Sequence, residues 1–358
     1  MATMVEVARR ARVSTSTVSH VVNGTRFVSP AARDRVQEAI GALGYRPNAL
    51  ARSLRVGQSH TLGLVVPDSA NPFFAEVGRA VEQAAFAAGF SVILCNTEND
   101  AEREERYLTV LARKQVDGIV LVAAGERGGA ARSLARSGVP VVAMDRERRG
   151  IAVDTVVADH RLGGRLATSH LARLGHRRIA CVAGPARLSP SALRVAGYRD
   201  ALREADLPLD PALLVHGDFR PAGAAAAARA LLASARPPSA VFACNDLMAL
   251  GVLSAAAAAG RRVPADLAVV GYDDIELAAF TAPPLTTVVQ PRRELGRAIV
   301  DLLLDRTRHR ERAARRVVLP VELRIRASCG AVVEARAARS GAARSSGFGS
   351  PTVEGGES

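Results

Sequence analysis

The fold is decided by residues 61–67, TLGLVVP, and residues 91–96, SVILCN, two short apolar runs with a stretch of helical character between them. Six more runs begin at residues 117, 139, 177, 239, 267 and 286: DGIVLVA, VPVVAMD, RRIACVAG, SAVFACND, LAVVGYDD and TTVVQP. Continuous apolar strands that alternate with helices are typical of parallel sheets covered on both faces. Eight such strand-helix units in about 270 residues are too many for a single open sheet. The pattern therefore predicts two doubly wound α/β subdomains.

The segment in front of this core differs from it in charge. Residues 1–57 contain nine arginines and three acidic residues, which gives +6 of the chain's net charge of +13. Because Lys114 is the only lysine among 48 basic residues, the overall charge can reflect an arginine-rich composition, and only its clustering is informative. We expect the first 57 residues to face an anionic partner.

The beginning of this segment carries the signals of two short helices. Thr3 and Glu6 have the spacing of a capping box at the start of a helix over residues 4–11. Ser14 can cap a second helix over residues 15–22. Two short helices joined by a tight turn predict a helix-turn-helix motif in an all-α head.

The second of these helices presents side chains that suit the reading of DNA. In a helix-turn-helix motif, the first residues of the second helix meet base edges in the major groove. Thr15, Ser16 and His20 are short or planar hydrogen-bonding residues at the start and middle of that helix. We therefore expect these three residues to contact the bases of double-stranded DNA.

Two more helices are predicted before the core. Pro30 stands at the first position of a third helix, where proline is tolerated. A fourth, over residues 48–56, is too short to persist in water unless it packs on something. If two copies pack in a DNA minor groove, Leu54 can wedge between base pairs while Arg52 and Arg55 neutralise phosphates.

The sequence lacks the usual motifs of metal sites, secretion and catalysis. The four cysteines lie far apart without a CxxC pair: Cys95, Cys181, Cys244 and Cys329. No leader-like segment and no membrane-length apolar stretch occurs, which argues against a secreted sugar receptor and favours the cytoplasm. The phosphate-loop, GxSxG and HExxH motifs are also missing, so we expect no enzyme, no catalytic residue, no cofactor and no metal. Three histidines without ligand spacing are expected to be exposed or to cap helices: His160, His170 and His176.

Three segments together carry a family resemblance: VEVARRARVSTSTVSHVVNGTRFVS at 5–29, LGYRPNALARSLR at 43–55 and TLGLVVPDSANPFF at 61–74. The chain resembles the LacI/GalR family of bacterial transcriptional repressors from about residue 2 to residue 328. The resemblance implies a homodimer that binds operator DNA and is associated with the nucleoid. It assigns base reading to Thr15, Ser16 and His20, a further DNA contact to Arg26, and the minor-groove wedge to Leu54.

The same resemblance implies a periplasmic-binding-protein-like core. The expected divisions are a DNA-binding head with hinge helix at 1–57, an effector-binding and dimerisation core at 58–330, and a disordered tail at 331–358, which is rich in Ala, Gly, Ser and Arg. Within the core, residues 60–159 with 291–318 form one expected subdomain, and residues 160–290 with 319–330 form the other.

The effector suggested by the resemblance is ribose. The segment GYDDIELAAFTAPPLTTVVQPRRELG at 271–296 resembles the ribose-operon branch of the family, and the core resembles periplasmic ribose receptors. A pentose needs aromatic faces for its C–H surface and amides, carboxylates and arginine forks for its hydroxyls. Such residues follow the predicted strands, where open α/β sheets bind ligands: Asn71, Phe73, Phe74, Asp145, Arg146, Arg194, Phe219, Asn245, Asp273 and Gln290.

Other effectors remain alternatives at this point. Another sugar would use the same kinds of side chain. A purine co-repressor is disfavoured, because Leu188 and Pro190 stand where the purine branch carries an arginine and a threonine. Asp246 and Asp274 are expected to cap helices or to support the neighbouring ligands. Sugar binding is expected to close the cleft, separate the hinge segments and release the operator.

Overall fold

The computed structural model describes residues 2–45, 58–124, 138–145 and 153–331. The chain divides into two compact units, the first formed by Met1–Ala158 with Pro291–Leu319 and the second by Asp159–Gln290 with Pro320–Ser358. Each unit is therefore built from separate stretches of the chain.

Within residues 2–45, the head contains three helices: α1 Met4–Ala11, α2 Thr15–Asn23 and α3 Pro30–Leu43. The predicted capping box is confirmed, because the Glu6 amide donates to Thr3 Oγ1 and the Thr3 amide donates to Glu6 Oε2. Helix α2 runs one residue further than predicted and ends where Gly24 adopts a φ of 65°. The helices enclose a small apolar core of Val7, Ala8, Ala11, Val18, Val36, Ala39 and Tyr45.

The two sheets and their helices follow in the remaining chain. In chain order the described elements are β1 Thr61–Val66, α4 Pro72–Ala87, β2 Ser91–Asn96, α5 Ala101–Arg113, β3 Gly118–Leu121, β4 Val141–Met144, β5 Asp154–Ala158, α6 His160–Arg173, β6 Ile179–Ala183, α7 Ser189–Glu204, β7 Leu214–His216, α8 Pro221–Leu232, β8 Ala240–Ala243, α9 Asp246–Ala258, β9 Ala268–Asp273, β10 Thr286–Val289, α10 Arg292–Arg308, β11 Arg316–Leu319 and β12 Glu322–Arg324.

The first unit contains a parallel sheet with the strand order β11-β5-β4-β3-β1-β2. Its apolar runs form strands because both faces are covered. On one face, Leu108 and Leu111 of α5 are buried against Val65 and Ile119. Gly63 allows this helix to approach, since a Cβ atom there would lie 2.6 Å from Leu111 Cδ1.

The second unit contains a sheet with the order β12-β10-β9-β8-β6-β7. Strands β6 to β10 pair in parallel, but β12 pairs with β10 in the antiparallel sense. The expectation of two doubly wound α/β subdomains is confirmed, and this edge strand is the exception to its parallel sheets. Between β10 and β12 the chain passes through the first unit as α10 and β11, and β12 begins two residues after β11 ends.

All eight predicted strands are present, and the described residues contain four others that were not predicted: β5, β7, β11 and β12. Among the residues that the structure describes, no helix is both long and apolar enough to span a bilayer.

Candidate DNA-binding and effector sites

The start of α2 presents polar side chains on the surface of the head. Ser14 caps this helix by accepting a hydrogen bond from the Thr17 amide at 3.1 Å. Thr15 and Ser16 follow it directly and are exposed. Their hydroxyl groups are therefore accessible to a base edge, as the predicted DNA-reading role requires.

The middle of α2 and the loop after it carry two further DNA-contact candidates of the head. His20 Nδ1 lies 2.9 Å from Thr25 Oγ1, which ties the middle of α2 to this loop, and Arg26 is exposed. Phe27 is 90% exposed beside it, although no sequence pattern singled it out. The remaining DNA-contact candidates, Arg52, Leu54 and Arg55, lie outside the described residues.

In the second unit, three predicted effector residues form one buried polar group. Gln290 Nε2 donates to Asp273 Oδ1 at 2.7 Å, and Arg194 Nη2 lies 3.7 Å from the same oxygen. Arg194 comes from α7, whereas the other two residues lie at the carboxyl ends of β9 and β10. All three are at most 4% exposed. The fold thus joins a cation, an anion and an amide from distant parts of the chain.

Asn245 and Phe219 join this group through the backbone. Asn245 Oδ1 caps α9 by accepting from the Met248 amide, and its Nδ2 donates to the Phe219 carbonyl at 3.2 Å. Arg194 Nη1 donates at 2.5 Å to the carbonyl of Cys244, the residue before Asn245. All five predicted effector residues of the second unit are therefore neighbours.

Several of these strand ends have an unusual backbone conformation. The φ angle is 62° at Asp145, 66° at Phe219 and 115° at Asp273. Residues other than glycine that are held in such sparsely populated regions cost about 1–3 kcal/mol each and cluster at functional sites. This property is shared by predicted effector residues of both units.

In the first unit, the effector candidates lie at the ends of β1 and β4. Asn71 caps α4 by accepting a hydrogen bond from the Phe73 amide at 3.0 Å. The rings of Phe73 and Phe74 meet edge to face, with centroids 5.2 Å apart, and both side chains are buried. Asp145 directly follows β4 and is also buried. Arg146 lies outside the described residues.

The structure places two further side chains against Arg194 that the sequence did not reveal. The Arg194 guanidinium carbon lies 3.7 Å from the centroid of the Tyr272 ring. His160 Nδ1 lies 3.2 Å from Tyr272 Oη and within 3.4 Å of Arg194 Nε. No signal in the sequence pointed to His160, because it follows β5, which was not predicted, and Tyr272 lies within the predicted strand β9.

The expectation that the histidines are exposed or cap helices is wrong for His160 and His170, which are both buried. Asp159, and not His160, caps α6. His170 Nε2 lies 3.2 Å from Cys329 Sγ, and burial lowers the pKa of this imidazole because it disfavours the charged form.

Asp246 supports the loops around this group. Asn245, and not Asp246, caps α9. The buried Asp246 carboxylate accepts from Thr287 Oγ1 at 2.5 Å and from the Ile275 amide at 2.9 Å. Burial and the nearby charge of Asp273 raise the pKa of Asp246 well above its usual value.

Asp274 ties β9 to the last strand of the same sheet. Its carboxylate accepts from Arg324 at 2.5 Å and from Arg326 at 2.7 Å. Neither Asp246 nor Asp274 is the residue that caps the adjacent helix, and their role in supporting effector ligands stays a prediction. Within the part of the chain that the structure describes, no cluster of three or more His, Cys, Asp or Glu residues could hold a metal ion.

Two family models match the chain. The model described as bacterial regulatory proteins, lacI family, matches residues 3–48, which include α1 to α3. The model described as periplasmic binding protein-like domain matches residues 168–329. The two matches fall on the helical head and on the part of the core that contains Arg194, Asn245, Asp273 and Gln290.

Two curated relatives cover most of the chain. The ribose operon repressor of Escherichia coli (strain K12) is 47% identical over 307 residues, which are 86% of this chain and 93% of the relative. The transcriptional repressor PurR of Aliivibrio fischeri (strain MJ11) is 40% identical over 331 residues, which are 92% of this chain and 98% of the relative.

Two solved structures extend the likeness to three dimensions. A lac repressor dimer bound to operator and an anti-inducer has 30% identity and a TM-score of 0.83, covering 92% of this chain and 99% of its own. A LacI family regulator from Enterococcus faecium with bound ribose has 34% identity and a TM-score of 0.68, covering 75% of this chain and 98% of its own.

These four relatives are transcription regulators, in agreement with the prediction that the chain is not an enzyme. One of them is 47% identical and is matched over 93% of its length. The family resemblance inferred from the sequence is therefore confirmed, and the chain belongs to the LacI family of bacterial regulatory proteins.

Proposed function

We propose that this protein is a homodimeric repressor of a ribose utilisation operon, and that ribose releases it from its operator. The observation that carries the proposal is the buried group of Arg194, Asp273 and Gln290, in a chain that is 47% identical to a ribose operon repressor. Because DNA is the partner, the proposed location is the cytoplasm, on the nucleoid.

The polar residues of the second unit match the chemistry of a pentose. Each sugar hydroxyl can both donate and accept, so a site for it needs both kinds of partner. Asp273 accepts, Arg194 donates as a charged fork, and Asn245 and Gln290 can do either. Phe219 offers an aromatic face to the C–H surface of the ring.

The effector candidates of the first unit offer the same kinds of side chain. Asn71 and Asp145 add an amide and a carboxylate, Phe73 and Phe74 add aromatic faces, and Arg146 adds a second cationic fork. Like the residues of the second unit, they follow the carboxyl ends of parallel strands, where α/β sheets bind their ligands.

The head supplies the DNA contacts. Thr15, Ser16 and His20 lie on α2 and read the major groove, and Arg26, just after α2, makes a further DNA contact. Leu54 wedges into the minor groove, and Arg52 and Arg55 neutralise phosphates beside it.

Dimerisation supplies the two-fold symmetry that a pair of operator half-sites needs. Two large apolar side chains of the first unit are exposed and suit a subunit interface, Phe86 of α4 at 76% and Leu94 at 56%. Leu94 lies on β2, an edge strand of the sheet in that unit.

Calorimetric titration of the full-length protein with ribose, other pentoses, hexoses and purine bases tests the effector. We expect ribose to bind most tightly and to lower the affinity for operator DNA, measured by fluorescence anisotropy. Tight binding of a hexose or of a purine base, without binding of ribose, would show that this ligand is the effector and ribose is not. A ligand that strengthens operator binding would reverse the proposed sign of the response.

An Asp273→Ala variant tests the site. We expect it to bind operator DNA with the affinity of the wild type but to resist release by ribose. Asp266→Ala is the matched control, because Asp266 lies in the same unit and pairs with Arg262 at the surface. Normal release of the Asp273→Ala variant would contradict the assignment.

A further inference from the structure

We propose that His160 is a positioning residue for effector binding, which acts as a neutral hydrogen-bond acceptor that orients Arg194. The inference rests on the proposed function, since Arg194 is one of the sugar ligands assigned there. It adds a residue of a different element to the site, the first residue of α6.

The contacts of His160 determine which of its ring nitrogens carries the proton. Two nitrogens of the Arg194 guanidinium lie near Nδ1, Nε at 3.4 Å and Nη2 at 3.3 Å, and the Tyr272 hydroxyl, which can donate or accept, lies at 3.2 Å. A guanidinium group has five N–H donors and no acceptor. His160 Nδ1 must therefore accept, which requires a neutral ring with its proton on Nε2.

The contact with His160 completes an enclosure of the Arg194 guanidinium. The Tyr272 ring covers its face at 3.7 Å, and the Cys244 carbonyl accepts from Nη1. Asp273 Oδ1 lies 3.7 Å from Nη2. His160 fixes the Nε side of the fork, so the group is held on its face and along its edges. A fork that is already ordered loses less conformational freedom when a ligand binds to it.

Close packing of α6 fixes the position of His160 in turn. A Cβ atom on Gly163 would lie 2.4 Å from Tyr272 Cε2, and one on Gly164 would lie 2.1 Å from the Arg194 carbonyl oxygen. The helix therefore contacts both the ring that covers Arg194 and the backbone that carries it. His160, at the start of this helix, has little freedom to move away from Arg194.

The proposal specifies which substitutions position 160 tolerates. An asparagine can place its amide oxygen where His160 Nδ1 lies, because both atoms are bonded to Cγ. A leucine has similar bulk but provides no acceptor. If His160 acts through Arg194, His160→Asn should preserve effector binding and His160→Leu should not.

Calorimetry of the full-length variants with ribose provides the first test. We expect His160→Leu to bind ribose at least about tenfold more weakly and His160→Asn to stay within about threefold of the wild type, since the leucine leaves a buried donor unsatisfied. His170→Leu is the matched control, because His170 is buried in the same helix and contacts Cys329. It should lower the melting temperature without weakening ribose binding. Wild-type affinity of His160→Leu, or an equal loss in His160→Asn, would overturn the proposal.

Nitrogen NMR of the histidine rings provides a second test that needs no sugar. Two-bond correlations distinguish the two neutral tautomers and the imidazolium, and the signal lost in His160→Asn assigns the residue. We expect the Nε2–H tautomer near neutral pH; the Nδ1–H tautomer or an imidazolium would overturn the proposal. If the wild type fails to bind ribose, the proposed function and the effector role of His160 fail together. The NMR result decides the contact with Arg194 in either case.

Discussion

Arg306 Nε donates to the buried carboxylate of Asp154 at 2.9 Å, within the first unit. The same carboxylate accepts from both terminal nitrogens of Arg312, at 3.0 and 2.8 Å, and from the Arg315 amide at 2.7 Å. Asp154 is the first residue of β5, while its partners belong to α10 and to the segment before β11. One carboxylate therefore joins the end of α10 and the start of β11 to the sheet.

Replacing Asp154 with alanine should destabilise the first unit strongly. Removing one partner of a buried ion pair leaves uncompensated charge and typically costs about 3–5 kcal/mol. Urea unfolding followed by circular dichroism measures the change in the free energy of unfolding. Asp301→Ala is the control: its pair with Arg297 is exposed, so the change should stay below about 1 kcal/mol. Similar effects of the two substitutions would contradict the assigned role of Asp154.

The same cluster predicts a dependence of stability on pH. Burial raises the pKa of Asp154, but the hydrogen bonds from Arg306, Arg312 and the Arg315 amide outweigh it and hold the pKa below its usual value of 3.8. The folded state thus favours the carboxylate, and its contribution is complete above that value and is lost as pH falls through the folded pKa. Urea midpoints measured at decreasing pH should fall more steeply for the wild type than for Asp154→Asn. Parallel profiles would show that Asp154 does not contribute.

The close packing of α6 against α7 predicts that one added methyl group between them lowers stability and weakens ribose binding. A Cβ atom on Gly164 would lie 2.1 Å from the Arg194 carbonyl oxygen. Gly164→Ala should therefore lower stability by about 1–3 kcal/mol and displace Arg194, which weakens ribose binding as well. In Gly78→Ala, the new methyl would lie 3.5 Å from its nearest neighbour, so this variant should resemble the wild type. Melting curves measure the change in stability, and calorimetry measures the ribose affinity. An unchanged ribose affinity of Gly164→Ala would show that the packing of α6 against α7 does not position Arg194 for ribose.

Seven of the eight predicted strands lie inside a sheet, where the covering of both faces favours a continuous apolar run, and β2 is an edge strand that carries such a run as well. Of the four strands that were not predicted, β7, β11 and β12 lie at the edges of the sheets, and β5 lies inside one. In β11, Arg316 and Val318 are exposed while Val317 and Leu319 are half-buried, and β12 has only three residues. The antiparallel pairing of β12 with β10 depends on where the chain re-enters the second sheet, which no local pattern reports.

The residues of the candidate site also differ in whether the sequence could predict them. Asp273, Gln290 and Asn245 follow predicted strands, so their position in the chain was enough to suggest a shared edge. His160 and Tyr272 could not be assigned in this manner, because their roles depend on a contact across 112 residues of sequence. Whether a histidine beside a strand points to solvent or into a buried group is decided by tertiary packing.

The burial of the cysteines predicts that their thiols react slowly in the native state. All four are buried, and burial raises the pKa of Cys181, whose sulfur lies 3.7 Å from that of Cys244. Because the thiolate is the reactive form, the native protein should react slowly with a thiol reagent such as dithionitrobenzoate. All four thiols should react once the protein is unfolded in guanidinium chloride. Ser234→Cys adds an exposed thiol as a positive control, and rapid reaction of the native wild type would contradict the observed burial.

The distribution of charge predicts that salt affects operator binding and ribose binding differently. The first 57 residues carry a net charge of +6, and binding to phosphates releases counterions from DNA, so operator affinity should fall steeply as salt rises. Ribose is neutral, and its affinity should change little over the same range. Arg55→Ala should reduce the salt slope by about one, whereas Ser16→Ala should weaken specific binding without changing the slope. Arg262→Ala, on the surface of the second unit, is the control that should alter neither quantity. Anisotropy titrations at several salt concentrations measure these slopes, and a slope that Arg55→Ala leaves unchanged would remove this residue from the phosphate contacts.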